Sequence, residues 1–431
     1  MKPQARIQAV VDILEKMPVS RVPLDSVVGD YMRQRRYIGA KDRAAVAQRI
    51  YEMARNTARV GWWLAKIGAE DTPRNRMIAF LALCENADEK RFKDMYDGSS
   101  YAPEPLSPAE LKIIKALEGQ TLEHKDMPLS VRAECPPQYE ESLKAYFGDA
   151  FEAELRAMVP GASLDLRVNT VLISRENAKQ SLEKDGVETD ETTYAPLGLR
   201  CRAKAYLAKT KAFAKGWIEI QDEGSQLIGH LCGAQPGMQV LDYCAGGGGK
   251  TLVLAADMSV EGRPKGRIVA MDLDELRLLK GRERFKKARV SDIIEPRPLS
   301  EIRHRKWLRR QKGTFDIVLC DVPCTGTGTW RRNPDMRWNI YGPALEELVV
   351  VQADILDKVA HTLKSGGRLI YATCSLLPEE NENQIEAFLK RHEGFEIEVL
   401  DKARGLGTPY MRLTPHRHGT DGFFAAVLMK K

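Results

Sequence analysis

The sequence predicts an α/β protein. It places an open, largely parallel, Rossmann-like sheet in the C-terminal half, a small α+β unit before it, and an all-helical segment at the N-terminal end. Three observations predict this. The run Val240-Leu-Asp-Tyr-Cys-Ala-Gly-Gly-Gly-Gly-Lys-Thr251 reads as strand, glycine turn and helix start, the first unit of such a sheet. From there to Met429, short apolar runs alternate with helical patterns. Near the N-terminus, apolar residues recur at helical spacing instead: Ile7, Val10, Val11 and Leu14, then Val46, Ile50, Met53 and Ala54.

At 431 residues the chain has room for two or three domains. The expected division is 1–134 helical with a connecting segment, 135–215 small α+β, and 216–431 α/β. A hydrophobic share of 43% and a net charge of +6 are ordinary for a soluble protein. No apolar run approaches a membrane span. Met1 to Met17 is amphipathic, with Asp12 and Glu15, and lacks a signal-peptide core. Eight dispersed cysteines without a Cys-x-x-Cys pair point to reduced thiols, a cytoplasmic location and no metal site.

In chain order, Arg33 to Arg36 with Lys41, Arg43 and Arg49 form a basic cluster suited to an RNA backbone, although a solvated face is the commoner meaning of such a run. Residues 86–135 are punctuated by proline and read as a connection with one helix at Ala109–Leu117. Helical runs start at Tyr139 and Phe151, and Pro160-Gly161 ends the second. Ser163–Thr170 alternates like a strand and carries Arg167 and Asn169. Ser174–Lys184 reads as a helix, with two short strands before Phe213. Asp222 caps a helix through Leu231. Strands are expected at 239–243, 267–272, 293–296, 315–321, 367–373, 395–400 and 423–429.

Three strand ends carry the chemistry. The turn Cys244, Ala245, Gly246, Gly247, Gly248, Gly249 and Lys250 lets a ligand approach the backbone at a helix N-terminus. Asp272 ends the next strand, where a carboxylate can accept ribose hydroxyls; its bland role is a cap for the helix from Glu275. Gly249-Lys250-Thr251 also fits the end of a phosphate-binding P-loop, but Cys244 stands where that motif wants its first glycine. An NTPase is therefore the alternative by motif. A non-catalytic RNA-binding assembly factor is the other. Against both stand Asp321-Val-Pro-Cys324-Thr-Gly-Thr-Gly and Thr373-Cys374-Ser375, two thiols at strand ends, where lone cysteines are usually buried hydrophobes. A thiol beside a ligand crevice is a candidate nucleophile, and chemistry alone does not say which of the two attacks.

These motifs, with Gln221-Asp-Glu-Gly-Ser-Gln, Arg331-Arg-Asn-Pro-Asp335, Pro378-Glu-Glu-Asn and Asp421-Gly-Phe-Phe-Ala-Ala, resemble the RNA cytosine-5 methyltransferases of the Sun/nucleolar-protein family over residues 140–431. The resemblance implies an S-adenosylmethionine-dependent methyltransferase domain and an RRM-like small domain. More weakly, it implies a NusB-like helical RNA-binding domain. It implies the cofactor S-adenosylmethionine, bound by residues 244–250, Asp272 and Asp321, and methylation of cytosine C5 in RNA of the small ribosomal subunit. Cys374 becomes the nucleophile and Cys324 the residue that assists release. Asp321 and Lys250 assist at the base. Arg331, Arg332 and Arg167 are assigned to RNA, and the basic run Arg303, Arg305, Lys306, Arg309 and Arg310 beside Trp307 is a further backbone candidate. No metal, no membrane and a monomer are expected. Two departures matter. Gly246-Gly247 replace the family's Ala-Pro, which predicts a looser loop, and Pro296-Arg-Pro-Leu-Ser300 lacks the acid the family carries at the third strand end.

Overall fold

The computed structural model describes residues 1–17, 22–400 and 406–431. They pack as two units, one of residues 1–161 with 330–342, the other of 162–329 with 343–431.

The first unit is helical throughout its described residues, as its periodicity predicts. Ile7, Val10 and Val11 of the helix Pro3–Lys16 are buried with Val46, Ile50 and Met53 of Ala40–Ala54 and with Trp63 and Leu64 of Thr57–Lys66. Fully burying one such side chain contributes about 1.5–3 kcal/mol. The proline-punctuated stretch holds three helices. Glu89–Met95 and the single turn Leu129–Arg132 are additional to the expected one, and Pro108–Leu117 is fixed by a capping box between Ser107 and Glu110. The helices Pro137–Phe147 and Phe151–Ala157 belong here by contact, ahead of the division at 161. The peptide 330–342 is stitched into the same unit. The Asp335 carboxylate accepts from Leu24 N at 2.9 Å, Trp338 Nε1 donates to Ala54 O, and Arg337 donates to Leu155 O.

In the second unit, β1 (Asp165–Val168), β2 (Thr189–Glu191), β3 (Gly198–Cys201) and β4 (Ile218–Ile220) make an antiparallel sheet in the order β2-β3-β1-β4. The sheet takes in Ile218–Ile220, beyond the expected boundary at 215. Its helix, Arg175–Lys184, is capped by Ser174.

The large sheet begins with β5 (Gln239–Asp242). After a small hairpin, β6 (Ser259–Val260) and β7 (Arg263–Pro264), come β8 (Arg267–Asp272), β9 (Ile294–Pro298), β10 (Phe315–Asp321), β11 (Leu363–Thr373), β12 (Phe395–Ile397), β13 (Met411–Leu413) and β14 (Phe423–Lys430). The order is β12-β14-β11-β10-β5-β8-β9, with β13 pairing β14. From β11 to β9 all pairs are parallel, while β12, β13 and β11 run antiparallel to β14. The β10 run Ile317–Cys320 is buried residue by residue, as a strand covered on both faces must be. Strand β5 is followed in sequence by β8 on one side, yet β10 lies on its other side. That switch point opens a crevice beyond the strand C-termini.

Candidate active site

The crevice is lined by three loops. Strand β5 ends in Asp242, which is fully buried. Its Oδ2 accepts from the Thr251 hydroxyl at 2.7 Å, and its Oδ1 has no partner. Burial pushes this carboxyl up to about 7; the Thr251 hydroxyl pulls it down, and the nearby Asp321 charge adds to the rise. The turn that follows leads into the helix Gly249–Asp257.

The turn is tied at several points. Ala245 N donates to Met271 O, and Gly248 N to Ala245 O. Gly246 N donates to Asp272 Oδ2 at 2.7 Å, and Gly247 O accepts from Arg284 Nη1 at 2.5 Å. Gly248 sits at φ 78°, and a Cβ there would stand 2.3 Å from the Phe285 ring, so only glycine fits. The looseness expected from four glycines is thus countered by neighbours distant in sequence. The Cys244 thiol is pushed far up by burial, which leaves it inert.

Asp272 holds the turn rather than the next helix, whose cap is Asp274. Strand β9 has no acid at its end, and its Glu295 is held by Arg267 and Arg297. Lys250, buried at the start of the helix, donates to Asp321 Oδ2 at the end of β10 at 2.5 Å. Burial alone would lower this lysine. The Asp321 carboxylate outweighs it, so the ammonium is held charged. A lysine engaged in this way is not free to reach a phosphate as the P-loop alternative requires.

Strands β10 and β11 are parallel neighbours with Asp321 opposite Ala372. The residues that follow them bring Cys324 Sγ to 3.4 Å from Cys374 Sγ. The neighbouring sulfur, then burial, raises the Cys324 thiol well above its ordinary value, so this thiol keeps its proton. A buried polar network holds both loops. Glu380, wholly buried, accepts from Thr325 N at 2.9 Å, from the Thr325 hydroxyl at 2.5 Å and from Gln352 Nε2 at 2.9 Å. Gln352 also donates to Pro323 O, the carbonyl just before Cys324. On the other loop, Asn381 donates to Ser375 O and accepts from the Thr373 hydroxyl. Gly328 N donates to Cys374 O, and Gly422 N to Gly328 O. A Cβ on Gly328 would lie 2.2 Å from Gly422 O, which explains the glycine in each motif.

The structure therefore brings Lys250, Asp321, the tetraglycine turn and Asp272 into one crevice, and Cys324 beside Cys374. The arginines assigned to RNA fare differently. Arg167 is 1% exposed with Nε on the Gln221 side-chain oxygen, and Arg331 is 8% exposed with its carbonyl taken by Arg55. Both guanidinium groups therefore lie below the surface, where a solvated phosphate backbone does not run. Arg332 is half-buried. On the helix Ile302–Arg309, by contrast, Arg303, Arg305, Lys306 and Arg309 are exposed, as is Arg310 just after it. In the first unit Arg49 pairs with Glu85 and Arg33 with Asp30. Sequence reasoning gave no role to Asp242, Glu380, Gln352 or Arg284. Asp242 had a signal, an acid closing the first strand, and Glu380 lies in a quoted motif. Among the described residues there is no cluster of His, Cys, Asp and Glu able to hold a metal ion, and no helix long and apolar enough to cross a membrane.

Residues 231–429 match a family model described as 16S rRNA methyltransferase RsmB/F, and residues 137–205 match the ferredoxin-like domain of RsmF/B-like methyltransferases. The chain is 34% identical over 267 residues to the ribosomal RNA small subunit methyltransferase B of Photorhabdus laumondii, covering 62% of this chain and 59% of that one. The matched chain thus spans about three-fifths of this curated relative's length. Among solved structures, PH0851 is similar with a TM-score of 0.78 and 27% identity over 100% of this chain and 99% of its own. A methyltransferase homolog protein from Pyrococcus horikoshii is similar with a TM-score of 0.58 and 28% identity over 70% of this chain and 98% of its own.

Proposed function

The chain belongs to the RsmB/F methyltransferase family, and from that premise we propose that it methylates C5 of a cytosine in RNA of the small ribosomal subunit, using S-adenosylmethionine. The donor set suits this cofactor. Asp242 keeps a buried oxygen without a partner, the turn 246–249 presents backbone without side chains, and Asp272 stands at the next strand end. In this reading residues 244–250 receive the methionine end, Asp272 the ribose, and Asp321 lies between cofactor and base. Bound there, S-adenosylmethionine supplies an electrophilic methyl group.

Cytosine C5 is a poor nucleophile. Addition of the Cys374 thiolate to C6 makes it an enamine carbon able to accept the methyl group. Asp321, held by Lys250, faces the polar edge of the base and stabilises its altered protonation. Solvent water then takes the C5 proton, the electrons of that C–H bond re-form the C5–C6 double bond, and the C6–sulfur bond breaks with its electron pair leaving on Cys374. Cys324 retains a proton and can donate it to the departing sulfur. The observation that carries this reading is the 3.4 Å approach of two thiols on adjacent strand ends. The cytosine must leave its stack to reach them. The exposed cations of residues 303–310 suit the phosphate backbone, and the helical unit of residues 1–161 and the small four-stranded sheet suit placement of the RNA. The protein acts as a monomer in this reading.

The test uses Cys324→Ala protein, small-subunit ribosomal RNA and S-adenosylmethionine on a denaturing gel. A slow, RNA-dependent band that vanishes when Cys374 is also replaced by Ala is expected. Methylation by the wild type with no adduct from the variant would overturn the division of labour between the thiols. No methyl transfer by the wild type would overturn the assignment of substrate.

A further inference from the structure

Four successive glycines give a turn little conformational order of its own, since each glycine loses more freedom on folding than any other residue. Gly246 and Gly247 stand where the family pattern has Ala-Pro. The wall behind the turn is the helix Glu275–Lys287. Its residues Arg277, Gly281, Arg284 and Phe285 share one face and all meet the turn. Gly281 allows a close approach, because a Cβ there would be 3.4 Å from Gly247 O. Phe285 packs where a Gly248 side chain would be. Arg284 does more. Its Nε and Nη2 lie 3.2 and 3.0 Å from Glu219 Oε2, which aims Nη1 at Gly247 O, 2.5 Å away. Glu219 is itself buried on β4, and Asp272 holds the N–H of the preceding glycine. One peptide of the turn thus donates to an acid, and the next carbonyl accepts from a base.

We propose that Arg284 is a positioning residue, and that with Glu219 it clamps the tetraglycine turn in the shape that receives the methionine end of S-adenosylmethionine, doing the work proline does in the family pattern. The proposal rests on the cofactor reading given above. It needs the guanidinium specifically: a planar fork can put one edge on a carboxylate and another on a carbonyl, and an ammonium on a flexible stem cannot hold both in place.

Calorimetric titration with two probes, S-adenosylhomocysteine and adenosine, separates the outcomes. Adenosine lacks the amino-acid end, so the clamp does not touch it. For Arg284→Ala and Arg284→Lys, affinity for S-adenosylhomocysteine falls about tenfold or more, while affinity for adenosine stays within about twofold. The Arg284→Ala/Glu219→Ala protein is no worse than Arg284→Ala, because the two act as one unit. Unchanged S-adenosylhomocysteine affinity overturns the clamp. So does an equal loss of both probes, which marks a merely structural arginine. If the wild type binds neither probe, the cofactor reading fails and the clamp falls with it, a result distinct from wild-type binding that the variants leave intact.

Discussion

The glycine turn after β5 and the cysteine loop after β10 sit at neighbouring strand ends of one sheet, yet they are held in opposite ways. The turn has no side chains between Gly246 and Gly249, and its order comes from outside through Asp272, Arg284 and the Phe285 ring. The cysteine loop is held by buried polar groups packed directly beneath it: Thr325 and Thr327, with Glu380, Gln352 and Ser375. A cofactor site needs bare backbone that a ligand can approach. A nucleophile site needs its sulfur fixed to a fraction of an ångström, and buried hydrogen bonds to a charge are strong enough for that. The cost differs too. The turn fails when a side chain is added, and the cysteine loop fails when one is removed.

The largest effect is therefore expected where the network has its one carboxylate. Glu380→Ala removes the acceptor of a buried Gln352 N–H and of the half-buried Thr325 N–H, and leaves the Thr325 hydroxyl only the longer contact to Ser375 Oγ at 3.3 Å. Such a loss costs on the order of 3–5 kcal/mol in stability, and Cys324 loses its placement. Urea denaturation measures the first effect and single-turnover methyl transfer the second. Glu380→Gln, which keeps the volume and one acceptor, should cost less. Equal behaviour of the two variants would show that the carboxylate is not what fixes the loop.

Addition is the way to break the turn. Gly248→Ala places a methyl group 2.3 Å from Phe285 at φ 78°. The left-handed backbone costs about 1–2 kcal/mol, and displacing the ring adds about 1–3 kcal/mol. The same substitution at an exposed, unconstrained glycine such as Gly342, where nothing lies within 4 Å of a Cβ, should be nearly neutral. Melting of the two variants side by side checks this.

This difference also sets what could be read from the chain. The strands, the three loaded strand ends and both thiols were legible, because periodicity and glycine position are local signals. Thus 267–272 and 315–321 appear with their expected bounds, and 363–373 is longer than expected by four residues at its start. Burial of polar residues was not legible. Glu380 is one of two adjacent acids in Pro-Glu-Glu-Asn, and nothing in the sequence marks it as the wholly buried one. Arg167 and Arg331 are assigned to RNA by their position in the sequence, and both are buried. Arg284 is one more basic residue on a helix with six Lys or Arg residues, and only the fold brings it to Gly247. A charge in sequence carries no label for depth. That label comes from partners 37 to 65 residues away, as with Gly247 and Glu219 for Arg284.

The smallest expected effect sharpens the comparison at Asp242, the one buried acid on the glycine side that no cation neutralises directly. Its partner is the Thr251 hydroxyl, and Lys250 is instead paired with Asp321. Burial raises its carboxyl from the ordinary 3.8 to about 7. The sign follows from linkage. A group raised on folding contributes stability that is fully present below the unfolded value and is lost as pH rises through the folded value. Between pH 5 and pH 7 the unfolded chain holds an ionised Asp242 while the folded chain still holds the proton, so the wild type loses stability at up to about 1.4 kcal/mol per pH unit from this group. Asp242→Asn keeps an acceptor for Thr251 and cannot ionise. Relative to wild type it should therefore gain up to about 3 kcal/mol from pH 5 to pH 7 and little beyond, as read from urea midpoints across that range. A difference that stays flat with pH would mean that Asp242 is ionised throughout, and that Lys250 serves it as well as Asp321.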